Sequence, residues 1–85
     1  MDLAERTRDF LADPVPLLAD GCAARQNGAA ADATTVATLL RGAVVEDLAV
    51  KRNVVFLQWR ASAAHGAAVV AWDQDGRVTA LDIWD

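Results

Sequence analysis

The sequence predicts an α+β domain, one or two helices packed against a strongly apolar antiparallel β-sheet. Three observations carry this. Apolar residues at helical spacing are confined to the first half of the chain, over 2–12 and 33–41. Everything after Gly42 is rich in Val, Leu, Ile and Trp and is broken only by short polar turns. One of these turns, Asp73-Gln74-Asp75-Gly76, carries an Asp-Gly pair between two apolar runs, where glycine supplies a positive φ without steric cost. At 85 residues the chain is read as one domain over 1–85.

The elements follow in order. Asp2 can cap a helix over 2–12, with Leu3, Thr7, Phe10 and Leu11 on one face. Asp13-Pro14-Val15-Pro16 ends it, because proline lacks the donor that a helix interior needs. Residues 17–26 fit either a short helix or a strand, and a strand near 21–27 is favoured. Gly28 to Ala31 reads as a loop. Asp32 is placed to cap a second helix over 33–41, with Val36, Leu39 and Leu40 as its apolar stripe and Gly42 just past its end. Strands are expected over 43–50, 54–62, 67–72 and 78–84, separated by turns at Lys51-Arg52-Asn53, Ala63-Ala64-His65-Gly66 and the Asp-Gly hairpin.

Side chains alternate along a strand, so hairpin registers sort them by face. A three-residue loop closed by Gly76 pairs Asp73 with Arg77, Trp72 with Val78, Val70 with Ala80 and Ala68 with Asp82. A four-residue loop at 63–66 pairs Ser62 with Ala67, Trp59 with Val70 and Leu57 with Trp72. One face then carries Val55, Leu57, Trp59, Ala68, Val70, Trp72, Val78, Ala80, Asp82 and Trp84. The other carries Val54, Phe56, Gln58, Arg60, Ala67, Val69, Ala71, Thr79, Leu81 and Ile83. Both are largely apolar, whereas an antiparallel sheet with one wet face shows polar residues there. Helices can cover one face. A second copy of the chain is the simplest cover for the other, and a homodimer through the face of Phe56, Val69, Leu81 and Ile83 is expected.

Charge and composition narrow the function classes. The net charge is −4, and the densest basic cluster is Lys51-Arg52. Nucleic acid and anionic membrane surfaces are therefore not expected partners. One Cys and one His leave no disulfide and no Cys- or His-built metal site, and no cofactor is expected. The start, Met1-Asp2 followed by charges at Glu5, Arg6, Arg8 and Asp9, is not the pattern of a signal peptide, and no apolar run reaches about 18 residues. A cytoplasmic protein is the default expectation.

The run Asn53-Val54-Val55-Phe56-Leu57-Gln58-Trp59-Arg60, then Gly66-Ala67-Ala68-Val69-Val70-Ala71-Trp72-Asp73, then Asp75-Gly76-Arg77-Val78-Thr79-Ala80-Leu81 and the closing Trp84-Asp85 resembles the C-terminal half of nuclear transport factor 2-like domains, in their SnoaL-like branch. The segment from Asp32 to Gly42 resembles the helix before that sheet. The resemblance covers roughly the last two-thirds of the chain. It implies a curved antiparallel β-sheet packed on N-terminal helices, a cone-like, cystatin-like α+β roll with a pocket, commonly dimeric through the sheet, in a family of isomerases, cyclases, dehydratases, epoxide hydrolases and non-catalytic binding domains. The chain has no Tyr, so a tyrosine-built oxyanion hole is absent.

Four residues stand out as candidates. Trp59, Trp72 and Trp84 could line an apolar ligand pocket, each with large area and one donor, or could simply fill the core. Asp82, desolvated among Val, Ala and Trp, would suit proton transfer as the catalytic acid or base. It could equally sit solvated near an edge or pair with an Arg. His65 reads as a turn residue rather than a general base, and Cys22 as an inert thiol. The expectation is a homodimeric domain binding a small, largely apolar molecule. The alternatives are an isomerase- or cyclase-type enzyme using Asp82, and a non-catalytic interaction module whose pocket is filled by side chains.

Overall fold

A computed structural model describes residues 1–85. Helix α1, Leu3–Ala12, starts where the Asp2 carboxylate accepts from the Glu5 amide. A single 3₁₀ turn, Val15–Leu17, follows the proline pair and leads into β1, Leu18–Gln26. β2, Ala29–Ala31, precedes α2, Ala33–Leu39, which the Asp32 carboxylate caps by accepting from the Thr35 amide. Four strands complete the chain: β3, Val44–Lys51; β4, Val54–Arg60; β5, His65–Trp72; and β6, Val78–Trp84.

All six strands form one curved sheet in the order β2-β1-β6-β5-β4-β3. Every pairing is antiparallel except β1 with β6, which run parallel. α1 lies over β3 and β4, and α2 over β1 and β6, so the two helices share one face of the sheet. The Gly42 amide donates to the Leu11 carbonyl at 2.7 Å, tying the end of α1 to the turn after α2. Three register shifts bend the sheet, one in β3 at Glu46, one in β1 between Leu18 and Ala23, and one in β6 at Thr79. Each extra residue raises local twist and turns the strand.

Several expectations hold and several are corrected. Both helices and their aspartate caps stand where the sequence places them. Asp73 closes on Arg77, Trp72 faces Val78, and Gly76 takes φ +78°. The segment read as a loop at 28–31 contains β2. His65 and Gly66 belong to β5 rather than to a turn, so Trp59 faces Gly66 and Leu57 faces Ala68, four residues from the expected register. That shift is even, so it leaves the faces of β4 and β5 unchanged.

The bulge at Thr79 is odd and flips the rest of β6. Ala71 pairs with Ala80, Val70 with Leu81, Val69 with Asp82, Ala68 with Ile83 and Ala67 with Trp84. Leu81 and Ile83 therefore point under the helices and are fully buried, while Ala80, Asp82 and Trp84 point the other way. The three tryptophans do not share a face. A dimer face carrying Leu81 and Ile83 is likewise ruled out, since both belong to the core.

Candidate functional site

The helix-covered face is packed solid. Val55, Trp59, Val70, Trp72, Val78, Leu81 and Ile83 meet Phe10, Leu11, Val36, Ala37 and Leu40, and none of these exceeds 2% exposure. Phe10 stands edge-on to Trp72, with centroids 5.9 Å apart and planes at 80°, the arrangement that the ring quadrupoles favour. The Trp72 Nε1–H donates to Thr7 Oγ1 at 3.2 Å, which explains a fully buried threonine in α1. The Arg6 guanidinium lies 5.9 Å from the Trp72 ring and donates twice to the Gly76 carbonyl, at 2.9 and 3.2 Å. α1 is thus fastened to the β5–β6 hairpin by three polar contacts around one indole. Trp59 differs, because its buried Nε1–H has no partner.

The structure divides the four sequence candidates into pairs. Trp59 and Trp72 are core residues at 1% exposure on the inner face. Asp82 and Trp84 lie on the outer face, Asp82 half-buried and Trp84 43% exposed. Asp82 is registered beside Arg25 of β1. His65 opens β5 and is exposed. Cys22 is half-buried, and desolvation pushes its thiol up from the ordinary value, which keeps it protonated and unreactive near neutral pH. No group of His, Cys, Asp and Glu is arranged to hold a metal ion.

The hollows are open surface clefts. One of about 600 Å³ lies at the turn end of the sheet, among Met1, Leu3, Arg52, Asn53, Trp72, Asp73 and Gln74. Another of about 280 Å³ lies on the outer face, where small residues leave room beside Phe56: its floor includes Ala49, Ala67 and Val69. That face carries Val54, Phe56, Val69, Ala71, Ala80 and Trp84 in one strip, with no helix over it. Charges interrupt and border the strip: Asp82 lies within it, across from Val69 and between Ala80 and Trp84, with Arg25 beside it on β1, and Asp47, Lys51 and Arg60 lie on the other side. Sequence reasoning anticipated a bare apolar face and named Phe56 and Val69. It missed Ala80 and Trp84, whose membership depends on the Thr79 bulge.

Comparison with solved structures agrees with the fold. A candidate isomerase of the SnoaL-like family from Agrobacterium tumefaciens superposes with a TM-score of 0.60 at 16% identity, covering 99% of this chain and 84% of that one. A de novo designed protein with a curved β-sheet superposes with a TM-score of 0.59 at 12% identity, covering 95% and 91%. No protein-family model and no curated protein matches the sequence. At such identities the likeness is one of backbone architecture. The same architecture serves a candidate isomerase and a designed protein, so chemistry must be argued from the site.

Proposed function

We infer that this chain is a non-catalytic interaction module of the SnoaL-like kind, a homodimer through the outer face of its sheet. The supporting observation is the contrast between a filled cone and a bare apolar strip. The volume that would hold a ligand is taken by Trp59, Trp72, Phe10 and Leu40. The strip of Val54, Phe56, Val69, Ala71, Ala80 and Trp84 is larger than scattered surface apolars and has no cover within the chain. A two-fold interface suits it, since each copy offers large side chains, Phe56 and Trp84, and a hollow floored by small ones. Arg25 then sits at the rim, beside an Asp82 that lies within the interface opposite Val69, and such charges steer and register association.

Sedimentation equilibrium at micromolar concentration is expected to give a dimer burying more than about 1,000 Å² in total. Val69→Arg should give a folded monomer with an unchanged far-ultraviolet circular dichroism spectrum. A wild-type chain that sediments only as a monomer overturns the reading.

Small-molecule binding is a second reading, favoured by the cleft of about 600 Å³ beside Trp72. In that reading Met1, Leu3 and Trp72 supply apolar wall and Arg52 a polar contact. Trp84 and Asp82 would act only through a hollow formed between two subunits, which is also where a catalytic Asp82 would have to work, and Trp59, buried in the core, would take no part. Binding of aromatic metabolites that shifts tryptophan emission in the wild type, and is weakened by Asp82→Asn, would favour an enzyme or binder over a module.

A further inference from the structure

We propose that β3 is a latent pairing edge for the β3 strand of a second copy, held shut by the Asp47 carboxylate. β3 is the last strand on its side of the sheet, so the backbone groups that do not face β4 have no neighbouring strand. Which groups those are follows from register. Lys51 pairs with Val54 across the two-residue turn Arg52-Asn53, and pairing continues Val50 with Val55, Ala49 with Phe56 and Leu48 with Leu57. In an antiparallel ladder closed by a two-residue turn, the closing pair and every second pair beyond it are bonded. Lys51, Ala49 and Asp47 therefore bond to β4, while Leu48 and Val50 turn their amides and carbonyls outward.

An exposed row of this kind is a template for strand addition. Its geometry is self-complementary. Antiparallel pairing about a two-fold axis at Ala49 sets Leu48 against Val50 of the second copy and Asp47 against its Lys51. All four backbone groups of each outward pair would be satisfied. The apolar side chains help, since Val50 is 46% exposed and Leu48 is half-exposed on the same side of the strand.

The structure holds this edge closed at one point. The Leu48 amide, one of the two outward donors, already donates to Asp47 Oδ1 at 2.9 Å. The Val50 amide has no side-chain partner. An incoming strand must displace the carboxylate before it can bond to Leu48. The bulge at Glu46 shortens the regular edge further, and Glu46 is drawn toward Arg60 at 3.4 Å rather than outward. Asp47 thus satisfies a lone donor and denies it to a partner, a local side-chain bond competing with sheet pairing.

Two measurements test this. In the wild type, hydrogen exchange at the Leu48 amide should be slower than at Val50 by about tenfold, because only Leu48 is covered. Equal rates overturn the proposal without any variant. Asp47→Ala should then tighten self-association by about tenfold, as one Leu48 amide per copy, two per dimer, is released for pairing. It is read by sedimentation in the wild-type and Val69→Arg backgrounds, which separates edge pairing from association through the outer face. Asp47→Asn keeps an oxygen acceptor and should sediment as its parent. Adding Val50→Pro to Asp47→Ala removes the other outward amide and should reverse the gain. Association that survives Val50→Pro, or an Asp47→Ala chain that sediments unchanged, overturns the proposal.

Discussion

The two faces of this sheet are made from nearly the same amino acids and have opposite fates. Under the helices, Val55, Leu57, Val70 and Trp72 are at most 4% exposed. One residue away along the same strands, Val54, Phe56, Val69 and Ala71 stand without cover, Phe56 at 46% exposure. Hydrophobicity alone therefore does not mark the core. Parity along the strand does, together with the bulges that reset it. The inner face is specified by contacts within the chain. The outer face has no such cover within the chain.

If this contrast is right, equal cuts on the two faces must have unequal effects. The largest is expected for Trp72→Ala, which empties a fully buried indole site and should cost about 3–5 kcal/mol in urea unfolding. That is much of the total stability of a small domain. Phe56→Ala, on the outer face, should change monomer stability by less than about 1 kcal/mol while weakening the proposed dimer. Equal losses at the two positions would erase the distinction.

Gly66→Ala comes next. Gly66 faces Trp59, and a Cβ there would run into the Trp84 carbonyl oxygen of β6. The closing end of β6 would have to move, at about 1–3 kcal/mol by the usual cost of overpacking. A thermal melt within a degree of wild type would show that this end of the sheet is slack.

A finer cut separates the two core tryptophans. Trp72→Phe strands the Thr7 hydroxyl, whereas Trp59→Phe removes a donor that has no partner. Trp72→Phe should therefore be worse by about 1 kcal/mol, although both lose similar volume. Thr7→Val, which leaves the Trp72 indole N–H unpaired, should match the Trp72→Phe loss to within about 1 kcal/mol, measured as a shift in urea midpoint.

These comparisons also show what could be read from the chain before any coordinates. Aspartate caps were legible because Asp2 and Asp32 each bond an amide three residues on, a purely local interaction. The Gly76 hairpin was legible for the same reason: Asp73 bonds the amides of Asp75 and Arg77 within its own loop. The four-residue offset between β4 and β5 was not, because several registers bury the same alternating residues. Nor was the Thr79 bulge. Nothing in Val78-Thr79-Ala80-Leu81 marks an extra residue, and its position is set by Leu81 and Ile83 finding space beside α2. That single residue moved Asp82 and Trp84 out of the site in which the sequence had placed them. β2 was missed because three alanines carry little strand signal; the hairpin with β1 forms only where Asn27 and Gly28 both take positive φ.

One feature of the topology reaches beyond the folded state. β6 lies between β1 and β5, although it is the last strand in chain order. β1 has only the three-residue β2 on its other side, so its main neighbour is a strand made after all the others. A growing chain can assemble the β3–β4–β5 meander from local hairpins, but Leu18–Gln26 must wait for Val78–Trp84. Seating β1 on β6 therefore closes a loop spanning most of the chain, the most non-local pairing in the sheet. The chain's early residues are thus held to the sheet through its latest ones, and without β6 the backbone edge of β5 would stand open.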